Sequence, residues 1–215
     1  MTKPALSIGQ VLLDARLGDL RYVLSEDREQ YDPFGAVAEL FRTLDERNIR
    51  YVLVGGIAML QYVEGRNTRD IDLIISPKAL ALMPGLELTS QDADFARAMF
   101  QGVQVDLLLT TNKVFELVRA KYTESRPFAE REVVCATVQG MVILKLFALP
   151  SLYRQGEFAR AAVYEADLVA LSRRTEADFG SAIETLRPHM LASDIAELTR
   201  LASELPRRGE GYTTA

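Results

Sequence analysis

The sequence predicts an α/β (α+β) fold, a small mixed sheet flanked by helices and followed by a helical C-terminal domain. Three observations carry this expectation. The run Tyr51–Val54 is apolar and leads through Gly55 and Gly56 into a short helix at about residues 57–63, after which a polar loop precedes a second strand carrying Asp70 and Asp72. The runs FARAMF and VQVDLLLT flank Gln101 and Gly102, so they read as a hairpin or closely connected strand pair. From Val138 onward the apolar spacing turns helical, with breaks expected at Pro150, Gly156 and Pro188.

Taken in order, residues 8–24 carry Val11, Leu12, Leu17, Leu20, Val23 and Leu24 at spacings of three to five, an amphipathic helix with a break near Gly18 that packs on the core or on a partner. Asp32 is placed to cap a second helix with Pro33 in its first turn and an apolar face of Val37, Leu40, Phe41 and Leu44. Pro77 opens a short helical stretch that Pro84 and Gly85 close, and residues 86–89 read as a brief edge strand. Asn112 caps a helix through Lys121, and residues 132–137 form one more short strand. The expected organisation is an N-terminal helical extension over 1–30, an α/β domain over 31–137, a helical domain over 138–206 and a flexible tail over 207–215.

Composition bounds the function. The 215 residues are 48% hydrophobic and 26% charged, the make-up of an ordinary globular chain, and the net charge of −5 argues against a surface built for sequence-blind nucleic-acid binding. The single cysteine, Cys135, has no partner for an intramolecular disulfide and reads as a small buried hydrophobe. The N-terminus lacks the pattern of a signal peptide, and no run approaches the ~18 apolar residues of a membrane span, so the expected location is the cytoplasm. The only histidine, His189, gives no metal cluster and no nucleophilic triad.

The chemistry concentrates at Gly55, Gly56, Asp70, Asp72 and Asp106. Side chains alternate along a strand, so Asp70 and Asp72 share one side while Ile71 and Leu73 enter the core. Two carboxylates held together repel unless a cation lies between them, which points to a metal. Asp106 repeats the anomaly inside an otherwise apolar strand, where an ionised carboxylate is costly unless exposed at a cleft, paired or metal-bound. A Gly-Gly turn lets backbone amides approach a phosphate closely. Together these suit in-line displacement at phosphorus with two metal ions.

The segment 50–109 resembles the nucleotidyltransferase fold of the DNA polymerase beta superfamily. Within it, the look is nearest to small bacterial members with G-G-x-A and R-x-T-x-D-I-D, such as the abortive-infection nucleotidyltransferase toxins of the AbiEii type. The matching positions are Gly55, Gly56, Ala58, Arg66, Thr68, Asp70, Asp72 and Asp106. The resemblance implies transfer of a nucleoside monophosphate from an NTP to a hydroxyl, with two Mg²⁺ ions on the three aspartates. Gly55, Gly56, Arg66, Thr68, Arg69 and Lys145 would serve the nucleotide. It implies as acceptor a tRNA or a protein, with a cognate antitoxin as partner, or a small molecule such as an antibiotic. Many members place serine where this chain has Gly56 and Arg69.

Plainer readings stand beside these. Asp70 and Asp72 suit a solvent-facing edge strand with Arg66 and Arg69 as ion-pair partners. Lys145 suits a lysine whose stem snorkels to the surface, and Asp167 a solvated helix residue. Tyr51 and Tyr62 read as core or cleft-wall residues. The alternative function is a catalytically inactive binding module, or the partner of a toxin, that keeps the fold.

Overall fold

The computed structural model describes residues 5–17, 31–63 and 68–210 of the chain. A seven-stranded mixed sheet forms its centre. The chain enters through α1 (Ile8–Leu17) and α2 (Pro33–Glu46), then β1 (Tyr51–Val54), the short α3 (Gly55–Met59) and β2 (Asp70–Ile75). It continues through α4 (Pro77–Leu80), β3 (Glu87–Gln91), β4 (Phe95–Phe100) and β5 (Val103–Leu109). Then follow α5 (Lys113–Lys121), β6 (Thr123–Pro127) and β7 (Glu132–Ala136). The C-terminal helices are α6 (Val138–Arg154), α7 (Phe158–Leu171), α8 (Phe179–Leu186) and α9 (Ala192–Glu210), with a 3₁₀ turn at Arg187–His189. This is the mixed α/β class that the sequence predicts, with helices following the sheet.

The strand order is β3-β4-β5-β2-β1-β7-β6. β2 runs parallel to β5 and β1 parallel to β7, while the remaining neighbours are antiparallel. The burial pattern of β5 alternates strictly, with Val103, Val105, Leu107 and Leu109 buried, which sends Gln104 and Asp106 to the other face. β2 does the same over its first half, burying Ile71 and Leu73 completely and leaving Asp70 and Asp72 half-buried on the other face.

Local signals fix several ends. Asp32 Oδ1 accepts from the Gly35 amide at 3.0 Å, and Asn112 Oδ1 from the Val114 amide at 3.0 Å, each satisfying an orphan donor of a first helical turn. Gln101 and Gly102 both have positive φ, 47° and 80°, as the tight β4–β5 turn requires. α1 packs its fully buried Ile8 and Leu12 into the common core, and Glu130 accepts from the amides of Ile8 and Gly9 and from the Ser7 hydroxyl. The rest of the expected N-terminal helix, beyond Leu17, lies outside the described residues. The buried residues, from Ile8 to Leu205, form one contiguous hydrophobic cluster shared by sheet and helices.

Three local expectations are corrected, and one strand, β6, joins those expected. The helix after the glycines ends at Met59, since residues 60–62 pass into turns. Pro150 lies inside α6 and does not end it. Pro150 is buried, and only one further turn of helix follows, so tertiary packing outweighs one missing amide donor. β6, the edge strand Thr123–Pro127, carries no apolar alternation and is held by pairing with β7. α9 extends to Glu210, into the stretch expected to be a tail. No helix among the described residues is long and apolar enough to cross a membrane.

Candidate active site

The register of the sheet assembles the site. Asp72 on β2 stands opposite Asp106 on β5, Asp106 stands opposite Arg97 on β4, and Val54 on β1 stands opposite Asp72. Residues from four strands therefore form one row across the sheet, and the row ends at Gly55. Asp70 lies one pleat along on the same face as Asp72. Carboxylate oxygens of Asp70, Asp72 and Asp106 all lie within 4.8 Å of one another, each residue partly exposed. Three hard oxygen donors at this separation fit a magnesium-like divalent cation.

The electrostatics reflect the crowding. Burial, and then the negative charges of Asp70 and Asp106, push the Asp72 carboxyl up from 3.8 to about 7. The Gly56 amide, 3.4 Å from Asp72 Oδ2, and the charge of Lys145 oppose this. Asp70 Oδ1 accepts from the Thr68 hydroxyl at 2.8 Å.

The glycines are dictated by contact. Gly55 has φ of +63°, and a Cβ there would fall 1.8 Å from Asp72 Oδ2. A Cβ on Gly56 would fall 2.3 Å from Thr68 Oγ1. The space a serine side chain would need at Gly56 is thus filled by the buried Thr68, whose hydroxyl faces Asp70.

The facing wall comes from α6 and α7. Lys145 is buried, with Nζ 2.6 Å from Asp167 Oδ2 and 4.3 Å from the centroid of the Tyr164 ring. The snorkelling reading of Lys145 and the solvated reading of Asp167 are both corrected here, because a lysine on a helix this apolar on all sides has no short path to water and takes a buried counter-ion instead. Arg160, one turn before Tyr164 on the same face of α7, has its guanidinium carbon 5.8 Å from that ring. Burial works against its charge, but Tyr164, Asp72 and Asp106 outweigh it and hold the Arg160 pKa above its ordinary value. Its charge therefore acts across the cleft.

Of the sequence-derived candidates, Asp70, Asp72, Asp106, Gly55, Gly56 and Thr68 come together here. Arg69 is exposed beside Thr68, Lys145 acts on Asp72 through its charge, and Arg66 lies outside the described residues. Tyr62 is a buried wall residue with its hydroxyl 2.7 Å from Glu124 Oε1 and 2.8 Å from the Ala136 carbonyl. His189 is exposed in the 3₁₀ turn.

Sequence reading missed Arg97, Gln104 and Arg160. Arg97 Nε and Nη2 each donate to Asp106 at 2.8 Å, and Gln104 Nε2 donates to Asp106 Oδ1 at 3.1 Å. A signal for Arg97 exists: a two-residue turn at Gln101 and Gly102 fixes position 97 opposite position 106. None exists for Arg160, whose approach depends on how the helices fold back over the sheet.

No protein-family model matches the sequence, and no curated protein matches it. Solved structures resemble its backbone course. An antigenic nucleotidyltransferase-like protein from Paracoccidioides brasiliensis aligns with a TM-score of 0.45 at 17% identity, over 78% of this chain and 91% of its own. ANT(2'')-Ia in complex with adenylyl-2''-tobramycin aligns with a TM-score of 0.43 at 13% identity, over 78% of this chain and 95% of its own. The solution structure of the antibiotic-resistance factor ANT(2'')-Ia gives 0.44 at 14% identity, over 79% and 92%. These are likenesses of backbone to proteins described as nucleotidyltransferases or nucleotidyltransferase-like.

Proposed function

We propose that the chain is a metal-dependent nucleotidyltransferase that moves a nucleoside monophosphate from an NTP to a hydroxyl acceptor and releases pyrophosphate. The observation that carries this reading is the convergence of Asp70, Asp72 and Asp106 within 4.8 Å, beside a glycine turn too tight for any side chain. Two Mg²⁺ ions held by these carboxylates would supply charge neutralisation at the transferring phosphoryl group. Asp70 and Asp72 hold the cation site from β2, and Asp106 faces the acceptor hydroxyl and takes its proton. Gly55 and Gly56 let the nucleotide phosphates lie against backbone, with Thr68 and Arg69 beside them, Lys145 adding positive charge, and Arg66, from its place in the sequence, serving the same phosphates. Catalysis of this kind works through placement and charge complementarity.

The acceptor would be a tRNA or protein if the chain is of the toxin type, with an antitoxin as its partner, or a small molecule such as an antibiotic. The test is incubation with each labelled NTP, Mg²⁺ and separate RNA, protein and small-molecule acceptor pools. Wild type is expected to label one pool, and Asp70→Asn and Asp106→Asn to lose labelling while keeping their thermal unfolding midpoints. Labelling that persists in both variants overturns the assignment. Nucleotide binding without labelling of any pool favours the inactive binding module instead.

A further inference from the structure

Arg97 makes a two-pronged ion pair to Asp106, and Gln104 adds a third donor to the same carboxylate. Three N–H groups thus engage the two oxygens of the one carboxylate in the cluster that Asp70 does not crowd from its own strand. The Asp106 side chain is 13% exposed, whereas that of Arg97 is 48% exposed and half in water. The pair is therefore anchored at its acidic end and free to let go at its basic end. The cross-strand register places Arg97 on the cleft face as one member of the row Arg97, Asp106, Asp72, and the charges of Asp70 and Asp72 act on it as well.

A guanidinium and a divalent cation have the same electrostatic role at such a cluster, and both draw on the lone pairs of Asp106. We propose that Arg97 is the resident counter-cation of the carboxylate cluster, held on Asp106 while the cluster is without metal and released when a divalent cation takes Asp106 as a ligand. The guanidinium sets the threshold for metal entry. Once released it stands at the cleft rim as a planar cation suited to an anionic phosphate substrate. Metal loading and phosphate binding are then linked through one side chain. This inference rests on the reading of the cluster as a metal site, and it assigns a role to a residue outside that cluster.

Direct Mn²⁺ titration of the full chain, followed by the loss of the free-ion electron paramagnetic resonance signal at about pH 8 without nucleotide, tests it. Releasing a partly exposed bidentate pair corresponds to roughly a tenfold effect on affinity. Arg97→Gln is expected to bind Mn²⁺ about tenfold more tightly than wild type, and Arg97→Lys, which keeps one charge without the fork, to fall between them. Far-ultraviolet circular dichroism and unfolding midpoints in chelator establish that each variant is folded. Equal or weaker binding by a folded Arg97→Gln overturns the proposal and makes Arg97 a fixed support of Asp106, while leaving the metal reading intact. Absence of Mn²⁺ binding in wild type and both variants overturns the metal reading, and this inference with it.

Discussion

At the scale of single residues, two positions are over-determined. Gly55 combines a left-handed backbone with a Cβ position inside the Asp72 carboxylate, so any side chain strains the backbone and displaces a cleft carboxylate together. Gly55→Ala is expected to lower stability by about 2–4 kcal/mol in urea unfolding. Lys145 and Asp167 are buried partners whose separate removal leaves an uncompensated charge. Lys145→Met is expected to lose about 3–5 kcal/mol, and the double variant Lys145→Met with Asp167→Leu to recover most of it, which a double-variant cycle measures.

Asp72 adds a pH signature. Its folded carboxyl holds a proton up to about pH 7, whereas an unfolded one, at 3.8, has already lost it. The folded state therefore binds more protons across that interval, and stability falls as pH rises through it. In chelator, the unfolding midpoint should decline between about pH 4 and pH 7 and then level off. Added Mn²⁺ favours the ionised carboxylate, so its stabilising effect should be larger at about pH 8 than at about pH 5.5.

At the scale of elements, the β4–β5 hairpin determines whether the site exists. Its two-residue turn sets a register in which Arg97 meets Asp106, and the parallel β2–β5 pairing sets Asp106 beside Asp72. A slip of one residue would send Asp106 into the core and Val105 or Leu107 into the cleft. Gln101 adopts positive φ without being glycine or asparagine, so the turn carries avoidable strain. Gln101→Asn is expected to raise stability by about 0.5–1 kcal/mol with no change in Mn²⁺ affinity, as thermal unfolding and the same titration would register. The opposite lesson comes from α6. Pro150 reads as a helix end, yet the helix passes through it, with Leu149, Pro150 and Leu152 all buried.

At the scale of the whole molecule, a sheet lined with carboxylates faces a helical wall bearing Lys145 and Arg160, and the two act on each other through charge. An acidic chain with a net charge of −5 thus holds positive charge beside its aspartates, as the proposed transfer from an NTP would require. The sequence by itself determined the strands other than β6, the glycine turn, the caps at Asp32 and Asn112, and the pairing of Asp70 with Asp72, because each depends on spacing along a few residues. It also implied Asp106, since a charge inside an apolar strand demands a partner. Tertiary structure alone decided that Arg97 holds Asp106, that Lys145 is spoken for by Asp167, that Thr68 fills the space at Gly56, and that the charge of Arg160 is felt by Asp72 and Asp106. These are contacts between segments distant along the chain, and the energy that selects them comes from burial and register across the whole sheet, which no local pattern encodes.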